Sequence, residues 1–271
     1  MEFHSERDLV ERIFGEQAVL IGETVGKNRP KKVCRNSHVI FGIGNRRVIV
    51  KTYKLSSSGE REQRAYDYFR RNGLIKVPEM YYGDGRYLIT EFVASEGFDL
   101  FEAVEDWARV HRTTQGLKEK SIEEHTFCEE AREIEGNEAL FGTRAEGLLK
   151  RLRDGLSTEV LSITHGDLYG NNVLTRRSIN YYIDFENWGI RNPLSDLGLL
   201  LFNHPERAEN IKRRYKQTAG YPEGEFDRDV NTLWALRLAK VVVGLSRDVH
   251  LPLDFRRHFS EKAITQLGKI L

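Results

Sequence analysis

The sequence predicts an α+β chain in which a small β-rich N-terminal part, with one main helix, precedes a larger and mostly helical part. Three observations carry this expectation. Within residues 1–92, short apolar runs alternate with glycine-containing turn signals. From Asp99 onward, apolar residues recur at helical spacing. One strand-like pair, at 173–183, interrupts the second half. The join falls near residues 91–98, which divides the chain into 1–92 and 93–271. A length of 271 residues suits one large domain or two lobes, with room for a sizeable core.

The elements follow in order. AVLIGETVG (18–26), VCRNSHVIFGI (33–43) and RRVIVKTY (46–53) read as strands. Gly44-Asn45 between the last two signals an antiparallel hairpin. SSSGEREQRAYDYFRRNG (56–73) reads as a helix. Its serines are placed to cap the start, Ala65 and Phe69 share a face, and Gly73 stands where a C-terminal cap belongs. VPEMYYGDGRYLITEFV (77–93) holds two further strands around Asp84-Gly85. DLFEAVEDWARVHRT opens a helix with Asp99 and Glu102 at capping-box spacing, and Phe101, Val104, Ala108 and His111 form one stripe. RAEGLLKRL (144–152), PERAENIKRRYKQTAG (205–220) and DVNTLWALRLAKVVVGL (229–245) repeat the helical period.

Composition narrows the class. Hydrophobic residues make up 39% and charged residues 31%, which describes a globular chain. The 42 Lys and Arg nearly cancel the 41 Asp and Glu, leaving +1, so no basic excess points to nucleic acid. The locally basic KNRPKKVCR (27–35) reads as a solvated turn or a phosphate contact. Two cysteines, Cys34 and Cys128, show no metal-ligand spacing and fit a reducing compartment. The N-terminus lacks a signal-peptide apolar core. The longest apolar run, LGLLLF (197–202), is far short of the roughly 18 residues that cross a bilayer. A cytoplasmic chain without membrane contact is the expectation.

The chemistry concentrates in THGDLYGNNVL (164–174) and YYIDFENWG (181–189). VLT (173–175) and NYYI (180–183) are strand-like, with a turn near Ser178. Such a hairpin returns Asn172 and Asp184 to the same end. A carboxylate and a carboxamide oxygen there make an oxygen-only site that suits Mg²⁺; without sulfur or paired histidines, zinc does not fit. Asp167, on the loop entering the hairpin, can accept a hydrogen bond from an incoming hydroxyl and take its proton. His165, followed by a glycine that tolerates unusual backbone angles, reads as packing beneath that loop.

HGDLYGNN (165–172) followed by IDFE (183–186) resembles the catalytic loop and metal-binding segment of the aminoglycoside phosphotransferase and choline kinase family, which has the two-lobed protein-kinase-like fold. The motif H-G-D-x-x-x-x-N is complete, and the order of the two parts agrees. The resemblance implies that Asp167 is the catalytic aspartate and that Asn172 and Asp184 are the Mg²⁺ ligands. It also implies a strand lysine, Lys51 in VIVKTY, paired with a helix glutamate. Glu62 fits that role by its spacing before Phe69, with Glu60 as a rival. YLITEFV (87–93) resembles the hinge strand, where the backbone of Glu91 and Val93 would meet the adenine edge. SDLG (195–198) resembles the next helix start, with Asp196 bracing the catalytic loop or capping the helix.

There are two departures. The N-terminal strands lack G-x-G-x-x-G, leaving Gly22, Gly26, Lys27 and Asn28 as a candidate phosphate-covering turn. Asp184-Phe185-Glu186 also stands where protein kinases have D-F-G.

The implied activity is a phosphotransferase using ATP, with GTP left open, and Mg²⁺. The acceptor is a small-molecule hydroxyl, aminoglycoside- or choline-like. Only NWGIRNPL separates Glu186 from Ser195, too little for a peptide platform. Acidic residues that would grip a cationic acceptor include Glu186 and those of YPEGEFDRD (221–229). Arg191, Arg228 and Arg237 keep a neutral or anionic acceptor open. The competing readings are a kinase-like nucleotide binder without activity and an atypical protein kinase.

Overall fold

The computed structural model describes residues 5–23, 36–120, 122–156, 160–221, 225–248 and 251–271. In chain order it forms α1 (Glu6–Phe14), β1 (Val19–Glu23), β2 (Ser37–Ile43), β3 (Arg46–Thr52), α2 (Ser56–Asn72), β4 (Met80–Gly83), β5 (Tyr87–Glu91) and α3 (Leu100–Thr113). Then come α4 (Phe127–Arg132), α5 (Ala145–Asp154), β6 (Ser162–Thr164), β7 (Val173–Arg176), β8 (Ile179–Tyr182) and β9 (Gly189–Arg191). The chain closes with α6 (Leu194–Asn203), α7 (Ala208–Ala219), α8 (Phe226–Arg247) and α9 (Leu253–Ile270). Two compact units result, one of Met1–Phe98 with Asn171–Asn187, the other of Asp99–Gly170 with Trp188–Leu271.

The first unit is built on an antiparallel sheet of order β1-β2-β3-β5-β4. In β3 the valines at 48 and 50 are fully buried, the two-residue period of a strand with one face in the core. Leu9 and Val10 of α1 join Phe41, Ile43, Val48, Val50 and Ile89 in that core. At the sheet edge that β1 forms among the described residues, Val19, Leu20 and Ile21 are each at least half exposed. α2 lies on β4 and β5. Gly73 ends it in the left-handed conformation, with φ +62°. Leu55 occupies its N-cap without a side-chain hydrogen bond, so the serines expected to cap it lie inside the first turn.

Gly59 of α2 is a close-approach glycine. A Cβ built there would stand 1.9 Å from the carbonyl oxygen of Gly85, in the β4–β5 turn. Gly59→Ala is therefore expected to lower stability by at least about 2 kcal/mol, read from chemical denaturation, because backbone must move to admit the methyl.

In the second unit, every residue of α6 from Leu194 to Phe202 is buried. The apolar run at 197–202 is thus a core helix, packed on α8, which in turn packs on α9. α3 packs on α7 and β6. Asp99 caps α3 by accepting from the N–H groups of Phe101 and Glu102. Three-residue β6 pairs with β9, an antiparallel ladder that periodicity does not reveal. α1, α4 and α9 stand beyond the helices expected from the sequence, although Ser5 caps α1 and Thr126 with Glu129 forms a capping box on α4. Among the described residues, no helix is long and apolar enough to cross a membrane.

Candidate active site

In the first unit, β7 and β8 pair in register from Val173↔Tyr182 to Arg176↔Ile179. Arg177 and Ser178 make the turn with φ of 52° and 58°, the left-handed pair that suits a tight hairpin. At the open end, Ile183 N–H donates to the Asn172 carbonyl at 3.1 Å, so Asn172 and Asp184 flank the last pair of the ladder. Asn172 is 3% exposed. Asp184 takes φ +67°, uncommon for a residue with a side chain and typical of constrained functional positions.

Lys51 is the centre of the charge. Its Nζ lies 2.6 Å from Glu62 Oε2, 2.6 Å from Asp184 Oδ1 and 2.7 Å from Glu186 Oε1. Burial alone would depress this ammonium, but the three carboxylates outweigh it and hold its pKa well above the ordinary lysine value. Glu62, which pairs with Lys51, is 1% exposed, whereas Glu60 is exposed. The Glu62 carboxylate is fully engaged. Oε2 also accepts from Tyr53 Oη at 2.7 Å, and Oε1 accepts from the Asp184 N–H at 3.1 Å. Burial, then Glu62, push the Tyr53 hydroxyl far above its usual range, so it remains a donor.

Glu186 lies in this cluster. It accepts from the Asn36 side-chain amide, and its backbone carbonyl accepts from Arg61 Nη1 at 3.1 Å. Burial raises its carboxyl, Lys51 opposes and Asp184 adds to the rise. Carboxylate oxygens of Glu62, Asp184 and Glu186 lie within 4.8 Å of one another. The donors are hard oxygens, as Mg²⁺ prefers. Glu62, with both oxygens hydrogen-bonded and its side chain 2% exposed, is the least available, leaving Asp184 and Glu186 as the carboxylates that could turn to a cation. Phe185 anchors the turn between them, packed on Tyr66 and Phe69 of α2 at ring-centroid distances of 5.7 and 5.1 Å.

Tyr53 and His38 carry no motif signal. Both are legible only once β2 and β3 are paired. Tyr53 follows Lys51 by two, and His38 stands directly across from Lys51, so all three side chains share a face. Burial, then the Lys51 charge, bring the His38 imidazole down from 6.5 to about 4. An imidazole that titrates lower in the folded chain is protonated first in the unfolded one, so acid favours unfolding. Stability is expected to fall between about pH 6.5 and pH 4, and His38→Gln should flatten that slope in denaturation curves taken across the window.

Glu91 ends β5, where its carboxylate pairs with Arg176 at 2.8 Å and its N–H donates to Glu79 at 2.8 Å. Val93 is 4% exposed, and no hydrogen bond engages its N–H among the described residues. Gly22 is part of β1, whereas Gly26, Lys27, Asn28 and the basic stretch 27–35 lie outside the described residues.

The second unit holds the loop of Asp167. Asp196 of α6 is 1% exposed and accepts from the N–H groups of His165 at 2.7 Å and Gly166 at 2.9 Å. It braces the loop through the backbone. Gly166 takes φ +79°. His165 is fully buried, edge-on to Trp107, and its Nδ1 accepts from the Asp167 N–H at 3.3 Å. His111 Nε2 lies 3.4 Å from the Asp196 carboxylate, and its Nδ1 is 2.8 Å from Tyr215 Oη. Burial would raise the Asp196 carboxyl, but His111 and His165 hold it below its ordinary range. Asp229, one of the candidates for gripping a cationic acceptor, is fully buried against Tyr221 Oη at 3.4 Å and Arg228 Nε at 3.7 Å.

A five-stranded antiparallel sheet bearing a buried Lys–Glu pair, followed by a helical unit with an aspartate-braced His-Gly-Asp loop, defines a protein-kinase-like phosphotransferase. The profile of the phosphotransferase enzyme family, APH, matches residues 31–229. The chain belongs to that family and is an enzyme of the small-molecule kinase class. No curated protein matches it in sequence. Among solved structures, macrolide 2'-phosphotransferase type I is similar at 14% identity and TM-score 0.65, over 98% of this chain and 99% of that one. A microcompartment-associated aminopropanol kinase has 16% identity and TM-score 0.66, over 97% and 94%. An amicoumacin kinase, solved with AMP-PNP, Ca²⁺ and Ami, has 14% identity and TM-score 0.68, over 98% and 94%. At these identities the likeness is one of fold.

Proposed function

We propose that the chain transfers the γ-phosphate of ATP, or of GTP, to a hydroxyl of a small molecule with the help of Mg²⁺. The observation that carries this reading is the buried Lys51 ammonium held by Glu62 and Asp184. Lys51 would release Asp184 to engage the α- and β-phosphates, while Glu62, fixed by Tyr53, keeps the lysine extended. Asn172 and Asp184 would hold the metal, with the Glu186 carboxylate as a further oxygen donor. When bound, Mg²⁺ supplies charge neutralisation at the phosphate oxygens. The backbone of Glu91 and Val93 would receive the adenine edge, and the Val93 N–H has the donor capacity to do so. Asp167 would orient the acceptor hydroxyl and take its proton. In this reading residues 1–92 form the nucleotide lobe and 93–271 the catalytic and acceptor lobe, and the enzyme works in the cytoplasm.

A short 3₁₀ turn (Phe185–Asn187), then β9, lead within seven residues from Glu186 to the start of α6 at Leu194. That segment offers no peptide platform and favours a small acceptor over a protein. The test is ADP release with Mg·ATP across a panel of aminoglycosides, choline-like amines, sugars and amino acids. Acceptor-dependent ADP release is the expected result. Metal-independent ATP binding in a thermal-shift assay, with no ADP formed on any acceptor, would establish the inactive binder instead.

A further inference from the structure

Beside the Lys51 cluster stands an imidazole that the packing of the sheet leaves unused. β2 and β3 pair His38 directly with Lys51. The side chains of such a cross-strand pair leave the same face, with Cβ atoms about 4.5–5.5 Å apart. The next pair on that face, Ile40 and Ile49, is apolar. Glu91, where the hinge begins, is paired with Val48, and Lys51 stands three residues further along β3. At strand spacing that is about 10 Å, the span from a purine to its phosphates. A nucleotide whose base meets Glu91 and Val93 would therefore cross the apolar pair and bring its phosphates to Lys51 and His38.

The polar neighbours of the ring are already engaged. The three N–H donors of Lys51 meet Glu62, Asp184 and Glu186, and the Tyr53 hydroxyl donates to Glu62. Among the described residues, no hydrogen bond or ion pair holds the His38 ring, and the residue is half-buried. A polar ring withdrawn from water without a partner carries a cost that a ligand can return. Burial, then the Lys51 ammonium, lower its pKa to about 4, and Asp184 opposes them. The ring is thus neutral near neutral pH, with one N–H to donate and one nitrogen to accept.

We infer that His38 is a second phosphate contact of the nucleotide site, its ring N–H donating to an oxygen of the α- or β-phosphate beside Lys51. This rests on the phosphotransferase reading and adds to it a neutral donor next to the fixed cation. A donor without charge strengthens the grip on the phosphates without opposing Lys51.

The experiment compares nucleotide with nucleoside. Dissociation constants of Mg·AMP-PNP, Mg·GMP-PNP, adenosine and guanosine are measured by calorimetry for the wild type, His38→Leu, His38→Gln and His38→Asn. For the nucleotide that the wild type binds, His38→Leu should weaken binding by about tenfold or more, the worth of one hydrogen bond to a charged partner. The matching nucleoside should stay within about twofold. His38→Gln or His38→Asn, whose amide N–H groups reach toward the places of Nε2 and Nδ1, should bring the nucleotide back to within about threefold of wild type. The wild type itself gives a second reading, valid even where His38→Leu does not fold. In protein with nitrogen-labelled histidine, the His38 ring signal, assigned by its absence from His38→Gln, should move with the nucleotide and not with the nucleoside. Three results would each overturn the inference and leave the phosphotransferase reading standing: nucleotide binding by His38→Leu within twofold of wild type, a loss shared equally by the nucleoside, or a ring signal that the nucleotide leaves in place. A wild type that binds neither Mg·AMP-PNP nor Mg·GMP-PNP overturns that reading itself.

Discussion

Asp167→Ala is expected to lower turnover by about 10²–10⁴-fold, the range for loss of a positioned acid–base group, while Mg·ATP binding and the melting temperature stay close to wild type. Several of the bonds that shape the loop do not involve the Asp167 side chain. Asp196 holds the N–H groups of His165 and Gly166, Arg237 holds the Gly166 carbonyl, and the contact of Asp167 with His165 is through its backbone N–H. Alanine keeps all of these. The loss should therefore fall on kcat, measured by coupled ADP release once an acceptor is in hand, with nucleotide affinity read separately by thermal shift. A variant within twofold of wild type would remove Asp167 from the chemistry.

The second large effect is expected from Lys51→Met, and here stability and activity fall together. The ammonium is the shared partner of three carboxylates, and its side chain is 7% exposed while that of Glu62 is 2%. Removing it leaves like charges facing one another with little water to screen them. Loss of one partner from a buried pair costs about 3–5 kcal/mol. The lower end applies here, since the Asp184 and Glu186 side chains are 35% and 20% exposed. The pH dependence gives the cause away. Without the lysine, the clustered carboxyls have folded pKa values above their unfolded ones, so the variant gains stability on acidification and loses it as pH rises through those values. Denaturation at pH 5 and pH 8 should show the deficit shrinking at the lower pH. A deficit that does not change with pH would mean that packing, not charge, is what Lys51 supplies. Turnover should fall by at least about 10²-fold at either pH, because the phosphates lose their fixed cation.

The parts of this architecture that can be read from the chain are those fixed by neighbours in sequence. The hairpin of 173–182 is marked by two apolar runs and a polar turn, and α3 by Asp99 and a four-residue stripe. Lys51 stands out because a charged residue at the end of VIV suits few purely structural roles, whereas Glu62 is legible only through the resemblance, by its spacing before Phe69. What stays hidden depends on contacts between distant segments. β9 is three residues long and exists because β6 lies beside it; nothing in GIR marks a strand. The serines of α2 resemble caps because their type favours that role, yet the chain enters the helix one residue earlier. Glu186 reads as a grip for a cationic acceptor because it is acidic and close to the motif; only the fold carries it to Lys51. Gly59 gives no sign in the sequence that the β4–β5 turn presses against it.

Asp184 has a consequence of its own. Its main chain is bent into a region that ordinary L-residues avoid, at a cost of order 1 kcal/mol, and it adds a third carboxylate around the Lys51 ammonium. Under the phosphotransferase reading, a strained residue thus stands at the point that would handle phosphate. Glycine or asparagine there would relax both complaints, and under the phosphotransferase reading would give a hardier but idle protein. In that reading, selection for thermal endurance alone would erode this position, and selection for phosphoryl transfer would hold the aspartate there.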